Sequence, residues 1–305
     1  MNAINSGAFQ IFRLAGINVY LHWSWFLVAV YEIRNRGGYS SLFWNVIEYL
    51  ALFLIVLLHE FGHSLACRQV GGTAERIVLW PLGGIAYVSP PQRPGAMLWS
   101  ICAGPLVNVV LFPILSLALV LCRVAGWPQE LPDAYALLRA VWFINLALLI
   151  FNLLPIYPLD GGKILQSLLW FVLGRSRSLL VVTIIGFVGV AGLLLLALAL
   201  QSIWIGIVAA FILLSCWGGL RQARMLARMG EAPRRLGFAC PACKAAPLVG
   251  EFWGCGKCRK PFDTFASQAV CPYCNTAYAA TRCPDCGALQ PLSAWAVPLA
   301  APPKP

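Results

Sequence analysis

The sequence predicts an all-α protein that crosses a membrane about six times, with a small β-hairpin insert and a cysteine-rich C-terminal domain. Three observations support this fold class. Hydrophobic residues make up 60% of the 305 residues and charged residues only 11%, so a water-soluble globule of this size would lack the polar side chains to cover its surface. Long uncharged apolar runs recur, and the composition changes sharply near Cys240.

Six apolar runs are predicted to be transmembrane helices, because each approaches the length that crosses the ~30 Å core of a bilayer. Four runs contain no charged residue: Ala96–Cys122, Ala140–Leu159, Leu179–Leu200 and Gln201–Leu220. Two further runs are less regular. Ala15–Tyr31 is short, and Ser41–Arg68 contains acidic and histidine side chains.

The formal net charge of +11 could indicate a nucleic-acid partner, but the basic residues cluster beside the ends of the predicted helices. The positive-inside bias explains that distribution more simply. Arginines directly after residue 220 place the C-terminus in the cytosol, and six spans place the N-terminus there too. We therefore expect a multi-pass integral membrane protein, in the cell membrane of a prokaryote.

Composition divides the chain into four predicted segments. They are a membrane domain at residues 1–220, a basic linker at 221–236, a cysteine-rich domain at 237–290 and a disordered Pro/Ala tail at 291–305.

Two short elements lie between the predicted spans. Glu75–Ser89 contains two β-prone runs separated by Pro81-Leu82-Gly83-Gly84, which favours a hairpin over an irregular interfacial loop. Lys163–Leu173 is amphipathic and too short to span, so we expect it to re-enter the membrane or to lie along its surface.

The sequence His59-Glu60-Phe61-Gly62-His63 near the end of the second predicted helix indicates a metal site. Residues at i and i+4 share a helix face, so both imidazoles can bind one Zn²⁺ with Glu60 beside the open position. Such a carboxylate can take a proton from an attacking water. A chance pattern is disfavoured, because ionisable side chains inside a membrane cost several kcal/mol without a partner.

Asp160 is the candidate for a third protein ligand. It follows a segment that two prolines break, Asn152-Leu153-Leu154-Pro155-Ile156-Tyr157-Pro158-Leu159, and precedes Gly161-Gly162. Broken backbone at membrane depth is tolerated where it lines a cavity or is buried in protein. Asp160 could instead cap the short helix that begins near Gly162.

The two motifs together, His-Glu-x-x-His and Asn-x-x-Pro-x-x-x-Leu-Asp-Gly-Gly, resemble the site-2 protease family of intramembrane zinc metalloproteases, peptidase family M50. The resemblance implies that His59, His63 and Asp160 bind one catalytic zinc and that Glu60 is the general base. It also implies hydrolysis of peptide bonds in or near transmembrane segments of membrane-protein substrates, as a step of regulated intramembrane proteolysis.

Two asparagines have two interpretations each. Gly104-Pro105-Leu106-Val107-Asn108 is similar to the Gly-Pro-x-x-Asn element of the family, so Asn108 could stabilise an oxyanion. It could equally make an interhelical hydrogen bond. Asn152 has the same ambiguity, and we include it among the residues expected to contact substrate.

A substrate helix must unwind before water can attack, and an exposed strand could hold it extended. The likeness to the family and the strand pattern therefore predict that the hairpin pairs with substrate through an edge containing Ile77, Leu79, Gly83 and Gly84.

Four Cys-x-x-Cys pairs follow one another: Cys240/Cys243, Cys255/Cys258, Cys271/Cys274 and Cys283/Cys286. Two pairs complete a tetrahedral zinc site, so the spacing predicts two structural Zn²⁺ ions in a double zinc-ribbon-like domain. Sequential pairing is the simpler arrangement, and a crossed one is also compatible with the spacing. A reducing cytosol disfavours disulfides.

The cysteine-rich domain is too small to bury much core, so bound metal would supply its folding energy. Its basic residues are too sparse to predict nucleic-acid binding. We expect a protein partner, with a role in substrate recruitment or regulation.

Two other functions are compatible with the metal motif. A metal transporter would use the histidines and Asp160 as a transit site, but gives no reason for Glu60. The other is a non-catalytic membrane scaffold with a zinc-sensing tail.

Overall fold

The structure, a computed structural model, describes residues 7–35, 38–80 and 83–296. It divides into two compact units, Met1–Leu220 and Arg221–Pro305. The first unit contains a four-stranded sheet and most of the helical residues, and the second contains short strands and the cysteine pairs.

Within the described ranges, seven α-helices follow one another: α1 (Ser24–Asn35), α2 (Leu42–Gln69), α3 (Pro94–Val124), α4 (Trp127–Glu130), α5 (Pro132–Leu153), α6 (Asp160–Ala199) and α7 (Ile203–Glu231). Five of these, α2, α3, α5, α6 and α7, are long and apolar enough to cross a membrane. The protein is therefore a mostly helical integral membrane protein.

The predicted first spanning helix, Ala15–Tyr31, is wrong. Its first half is a strand, β2 (Ile17–His22), and its second half belongs to α1, whose 12 residues reach only about 18 Å. Ile17 and Val19 are fully buried and alternate with partly exposed neighbours, the pattern of a strand against a core. The run is apolar because the sheet packs on a helix.

The sheet of the first unit has the strand order β1-β2-β3-β4. The strands are β1 (Ala8–Leu14), β2, β3 (Thr73–Trp80) and β4 (Gly83–Ser89). Strand β2 is antiparallel to β1 and parallel to β3, and β3 is antiparallel to β4. The predicted hairpin is confirmed, although Pro81 and Leu82 of its turn lie outside the described residues.

The inner face of the sheet packs on α2, the helix that carries the metal motif. Ile77 and Leu79 of β3 join a buried cluster with Val56 and Phe61 of α2. The prediction that Ile77 and Leu79 form a substrate-pairing edge is therefore wrong, because β3 lies between two strands and both side chains are fully buried. The edge strand next to β3 is β4.

Helix α6 contains a break at Gly174, whose φ of 76° and ψ of 171° are not helical. Residues 160–173 therefore form a short helix that ends where the amphipathic stretch Lys163–Leu173 was predicted to end. The spanning part of α6 follows the break. Whether the short helix lies along the membrane surface stays a prediction.

In the second unit, the basic segment after residue 220 continues α7 as far as Glu231. Two small antiparallel sheets follow, β5 (Trp253–Gly254) with β6 (Pro261–Phe262) and β7 (Thr281–Arg282) with β8 (Leu289–Gln290).

The predicted start of the disordered tail at residue 291 is wrong. Leu292–Trp295 forms a 3₁₀ turn, and the fully buried ring of Trp295 packs against Phe265, Cys240 and Cys283. A single large aromatic anchors a segment whose composition otherwise suggests disorder. Residues 297–305 lie outside the described part.

Candidate active site

Helix α2 places His59, Glu60 and His63 on buried surface near its C-terminal end, and Asp160 begins α6 beside them. All four residues are less than a tenth exposed. Asp160 Oδ2 lies 3.0 Å from His59 Nε2 and 3.1 Å from His63 Nε2. The structure thus brings together the three ligands that the sequence predicted, although 101 residues separate His59 from Asp160.

This donor set fits a zinc ion. The three ligand atoms all lie within 4.8 Å of one another, and two nitrogens with one carboxylate oxygen leave a fourth tetrahedral position open. Gly104 of α3 faces the same point. A Cβ atom there would lie 2.8 Å from His59 Nε2 and closer still to the ring of His63. The glycine therefore keeps free the space in which the metal would bind.

Each histidine is oriented by an acceptor behind it. His59 Nδ1 donates to Asn108 Oδ1 at 2.7 Å, and His63 Nδ1 donates to the carbonyl oxygen of Ser100 at 2.9 Å. With the proton on Nδ1, each Nε2 presents its lone pair toward Asp160, as a metal ligand requires. Both acceptors lie on α3, so the packing of α2 against α3 sets the ligand geometry.

The geometry favours the interhelical interpretation of Asn108. Its side chain is fully buried, its Oδ1 accepts from His59, and its Nδ2 donates to Asn145 Oδ1 at 2.9 Å. Asn145 Nδ2 donates in turn to the backbone oxygen of Asn108 at 3.0 Å. Asn145 was not predicted, and its one signal in the sequence was an amide within the long apolar part of α5.

Asp160 faces the metal site and does not cap its helix. Leu159 occupies the N-cap position without a side-chain hydrogen bond. The preceding loop packs closely over the two glycines, since a Cβ atom on Gly162 would lie 2.6 Å from the Tyr157 nitrogen. Cys216 of α7 donates to the Tyr157 carbonyl oxygen at 3.1 Å, so α7 helps to fix the loop that positions Asp160.

Glu60 turns from the histidines toward β4. Its Oε2 accepts a hydrogen bond from the backbone N–H of Ala86 at 3.0 Å. A Cβ atom on Gly84 would lie 2.5 Å from the Glu60 carboxyl carbon, so any other residue there would displace this carboxylate. The general-base candidate is therefore held between the metal ligands and β4.

A cavity of about 340 Å³ opens beside this carboxylate. Its walls include Glu60, His63 and Asp160 together with Gly84 and Ala86 of β4. Of the other residues expected to contact substrate, Gly83 begins β4 and Asn152 lies in the last turn of α5. Neither is part of the cavity wall.

A sequence profile of peptidase family M50 matches residues 47–134 and 129–196, which include both metal-site motifs. A zinc metalloprotease of Methanocaldococcus jannaschii is 32% identical over 203 residues, which are 67% of this chain and 58% of the relative. The chain belongs to peptidase family M50, the site-2 protease family.

A provisionally named zinc metalloprotease of Synechocystis is 30% identical to this M50 protein over 240 residues, 72% of this chain and 62% of that one. The chain thus spans about three fifths of the length of these relatives. A solved site-2 protease structure from Methanocaldococcus jannaschii is similar with a TM-score of 0.49 and 27% identity, over 70% of this chain and 95% of that chain.

The C-terminal unit of this M50 protein brings the eight cysteines into two groups of four. The outer group contains the first and last pairs, with Cys240 Sγ and Cys286 Sγ 3.7 Å apart. The inner group contains the middle pairs, with Cys255 Sγ and Cys274 Sγ 3.5 Å apart. The simpler expectation of sequential pairing is wrong, because the inner group is nested within the outer one.

All four cysteine pairs have the same local geometry. The residue after each second cysteine has a positive φ, and its N–H donates to the carbonyl oxygen of the first cysteine at 2.8–2.9 Å. These residues are Lys244, Arg259, Asn275 and Gly287. These four equivalent turns bring their thiols together in two groups of four, an arrangement that fits tetrahedral zinc coordination by sulfur. At the inner group, the Tyr278 hydroxyl also lowers the pKa of Cys255 to about 5 and so favours the thiolate.

Proposed function

We propose that this protein is an intramembrane zinc metalloprotease that hydrolyses peptide bonds in or next to transmembrane segments of membrane proteins. One observation carries the proposal: a buried carboxylate, Glu60, lines the same cavity as His63 and Asp160, which converge with His59 on one point. A site that only held or passed metal would not need this carboxylate beside the open coordination position.

The metal ligands and Glu60 have separate roles in the proposed reaction. Zn²⁺ held by His59, His63 and Asp160 would supply a Lewis acid that polarises the carbonyl and acidifies water. Glu60 takes a proton from the attacking water while the water oxygen bonds to the carbonyl carbon and the C=O electron pair moves onto oxygen. When the C–N bond breaks, Glu60 returns that proton to the leaving nitrogen. The Ala86 N–H limits rotation of the Glu60 carboxylate and so keeps it aimed.

We propose β4 as the strand that holds the unwound substrate. In the regular part of the β3–β4 pairing, alternate residues of β4 direct their backbone groups away from β3. Ala86 does so, since its N–H reaches Glu60, and Gly84 two residues earlier has the same orientation. A substrate strand pairing here would place its backbone across the cavity beside the metal ligands.

For the C-terminal unit we propose two structural Zn²⁺ ions and a role in recruiting or regulating substrates through a protein partner. The nested thiol groups and the sparse basic surface support metal-dependent protein binding more than nucleic-acid binding. We also propose that the active site takes part in regulated intramembrane proteolysis.

We propose that the C-terminal unit lies in the cytosol, and the arginines that follow the last span support this location. With the C-terminal unit in the cytosol, a cytosolic N-terminus requires an even number of spans, and the described residues contain five helices that could span. The named relatives come from an archaeon and a cyanobacterium, which supports the cell membrane of a prokaryote as the location.

The test is cleavage of transmembrane test substrates by purified protein in detergent. We expect Glu60→Gln to lower kcat about 10²–10⁴-fold while zinc content is unchanged. Glu48→Gln is the matched control, because Glu48 is an equally buried glutamate of α2 that lines a different cavity.

Cleavage that survives in Glu60→Gln would remove the general base from the mechanism. A wild-type protein that binds zinc at His59, His63 and Asp160 and cleaves no substrate would instead support transport or scaffolding.

A further inference from the structure

Lys163 lies one turn after Asp160 on the same face of α6. Its Nζ is 3.8 Å from Asp160 Oδ1, and its side chain is 41% exposed. It lines the same cavity as Glu60 and His63. No pattern in the sequence assigns Lys163 to the site, because its position beside Glu60 and His63 arises only in the fold.

The two oxygens of Asp160 face different partners. Oδ2 points to both histidine Nε2 atoms, whereas Oδ1 points to the ammonium of Lys163. Lys163 is therefore on the cavity side of the carboxylate, away from the point where the three ligand atoms converge. The long contact and the partial exposure leave its flexible side chain free to approach an atom in the cavity.

A hydrogen-bond donor, in addition to a Lewis acid, can stabilise the oxygen that becomes negative when water attacks a peptide carbonyl. Asn108, the donor expected from the sequence, is fully buried behind His59, and its amide group is bonded to Asn145. Among the residues that line the cavity, Lys163 is the only lysine or arginine. An ammonium there has three N–H groups to offer and a full positive charge.

We propose that Lys163 is a catalytic residue, whose ammonium donates a hydrogen bond to the carbonyl oxygen of the scissile peptide in the transition state. This inference rests on the proposed protease function. As the water oxygen bonds to carbon and Glu60 takes the water proton, the C=O electron pair becomes an oxyanion beside Lys163. When the C–N bond breaks, the pair returns to re-form C=O, Glu60 protonates the leaving nitrogen, and Lys163 keeps all its protons.

The experiment compares wild type, Lys163→Met and Lys163→Arg on one transmembrane substrate in detergent, measuring kcat, KM, the zinc-to-protein ratio and thermal unfolding. We expect Lys163→Met to lower kcat about 10²–10³-fold, with the other three quantities unchanged. Lys163→Arg keeps the charge and should remain within about tenfold of wild type. Arg177→Gln is the control, because it removes an exposed cation from the same helix after the Gly174 break.

Three other outcomes would overturn the inference, and they differ in whether the protease function also fails. A kcat for Lys163→Met equal to that of wild type rejects Lys163 alone and leaves the protease intact. Loss of zinc or a lower unfolding temperature in Lys163→Met would mean that the residue only maintains the ligand or the fold. A wild-type protein that cleaves nothing rejects the protease function and Lys163 together.

Discussion

The two candidate metal-binding regions of this protein are built in opposite ways. In the membrane unit, the ligands come from long helices that other contacts already hold in place, such as the hydrogen bonds from His59 to Asn108 and from His63 to Ser100. In the C-terminal unit, the ligands come from four short turns around a few buried aromatic residues. The membrane site offers three donor residues beside a cavity, whereas each cysteine group offers four donors, enough to fill every position of a tetrahedral ion.

This contrast indicates which region depends on its metal. A site that the surrounding fold preforms can leave a coordination position open for chemistry, because the metal is not needed to hold the chain together. A closed site in a small domain contributes folding free energy directly. Breaking each region in turn tests this distinction.

The largest expected effect is the loss of the C-terminal fold on metal removal. Structural zinc contributes about 10–16 kcal/mol in small domains, so chelation should unfold residues 237–296 and leave the helices of the membrane unit folded. Amide hydrogen exchange resolved by peptide measures both regions in one sample. Cys271→Ser, at a fully buried inner ligand, should have the same local effect at normal zinc concentration.

Cys122→Ser is the control for this prediction, because Cys122 lies in α3 and outside both cysteine groups. Equal protection of residues 237–296 with and without chelator would contradict the prediction.

A smaller effect, confined to one site, is expected from Gly104→Ala. The added Cβ would occupy the space between the two histidine rings, so the membrane site should lose zinc while the cysteine sites keep theirs. Zinc content should fall by one ion per chain with little change in helix content by circular dichroism. Gly192→Ala is the matched control, since a Cβ atom there meets no atom within 4 Å. Unchanged zinc content in Gly104→Ala would mean that the rings can move apart.

The smallest effect is expected from Asn145→Ala, which removes the partner of Asn108 behind His59. Loss of such a supporting contact typically weakens metal affinity about 10–100-fold, so zinc should still bind but with a higher dissociation constant. Competition with a metal-binding dye measures this change. Ser116→Ala breaks a different α3–α5 hydrogen bond, the one to Trp142, and should leave zinc affinity at the wild-type value. Equal affinities in the two variants would argue against an orienting role.

Sequence reasoning could predict the ligands because helix geometry alone puts His59 and His63 on one face. It also found Asp160, since a carboxylate that follows broken backbone at membrane depth is costly unless it binds a cation or another partner. The residues that support the ligands from behind could not be predicted from the sequence in this way. Asn145 and the Ser100 carbonyl act through interhelical contacts, which no local pattern encodes.

The errors have physical causes as well. Ile17–His22 was mistaken for part of a helix because a strand buried on a helix is as apolar as a membrane span. The nested cysteine groups could not be predicted, since all four turns are equivalent and the spacing permits either pairing. The buried ring of Trp295 was overlooked in a segment dominated by proline and alanine.

The nested order of the cysteine groups also dictates when each can form during synthesis. The inner thiols are complete once Cys274 has been added, but Cys240 and Cys243 must wait for Cys283 and Cys286. A polypeptide released between Cys274 and Cys283 would present two thiols with no partners, beside an inner group whose four thiols are all present. The thiols of Cys240 and Cys243 would therefore react differently in a chain that ends before residue 283 and in one that extends past residue 286.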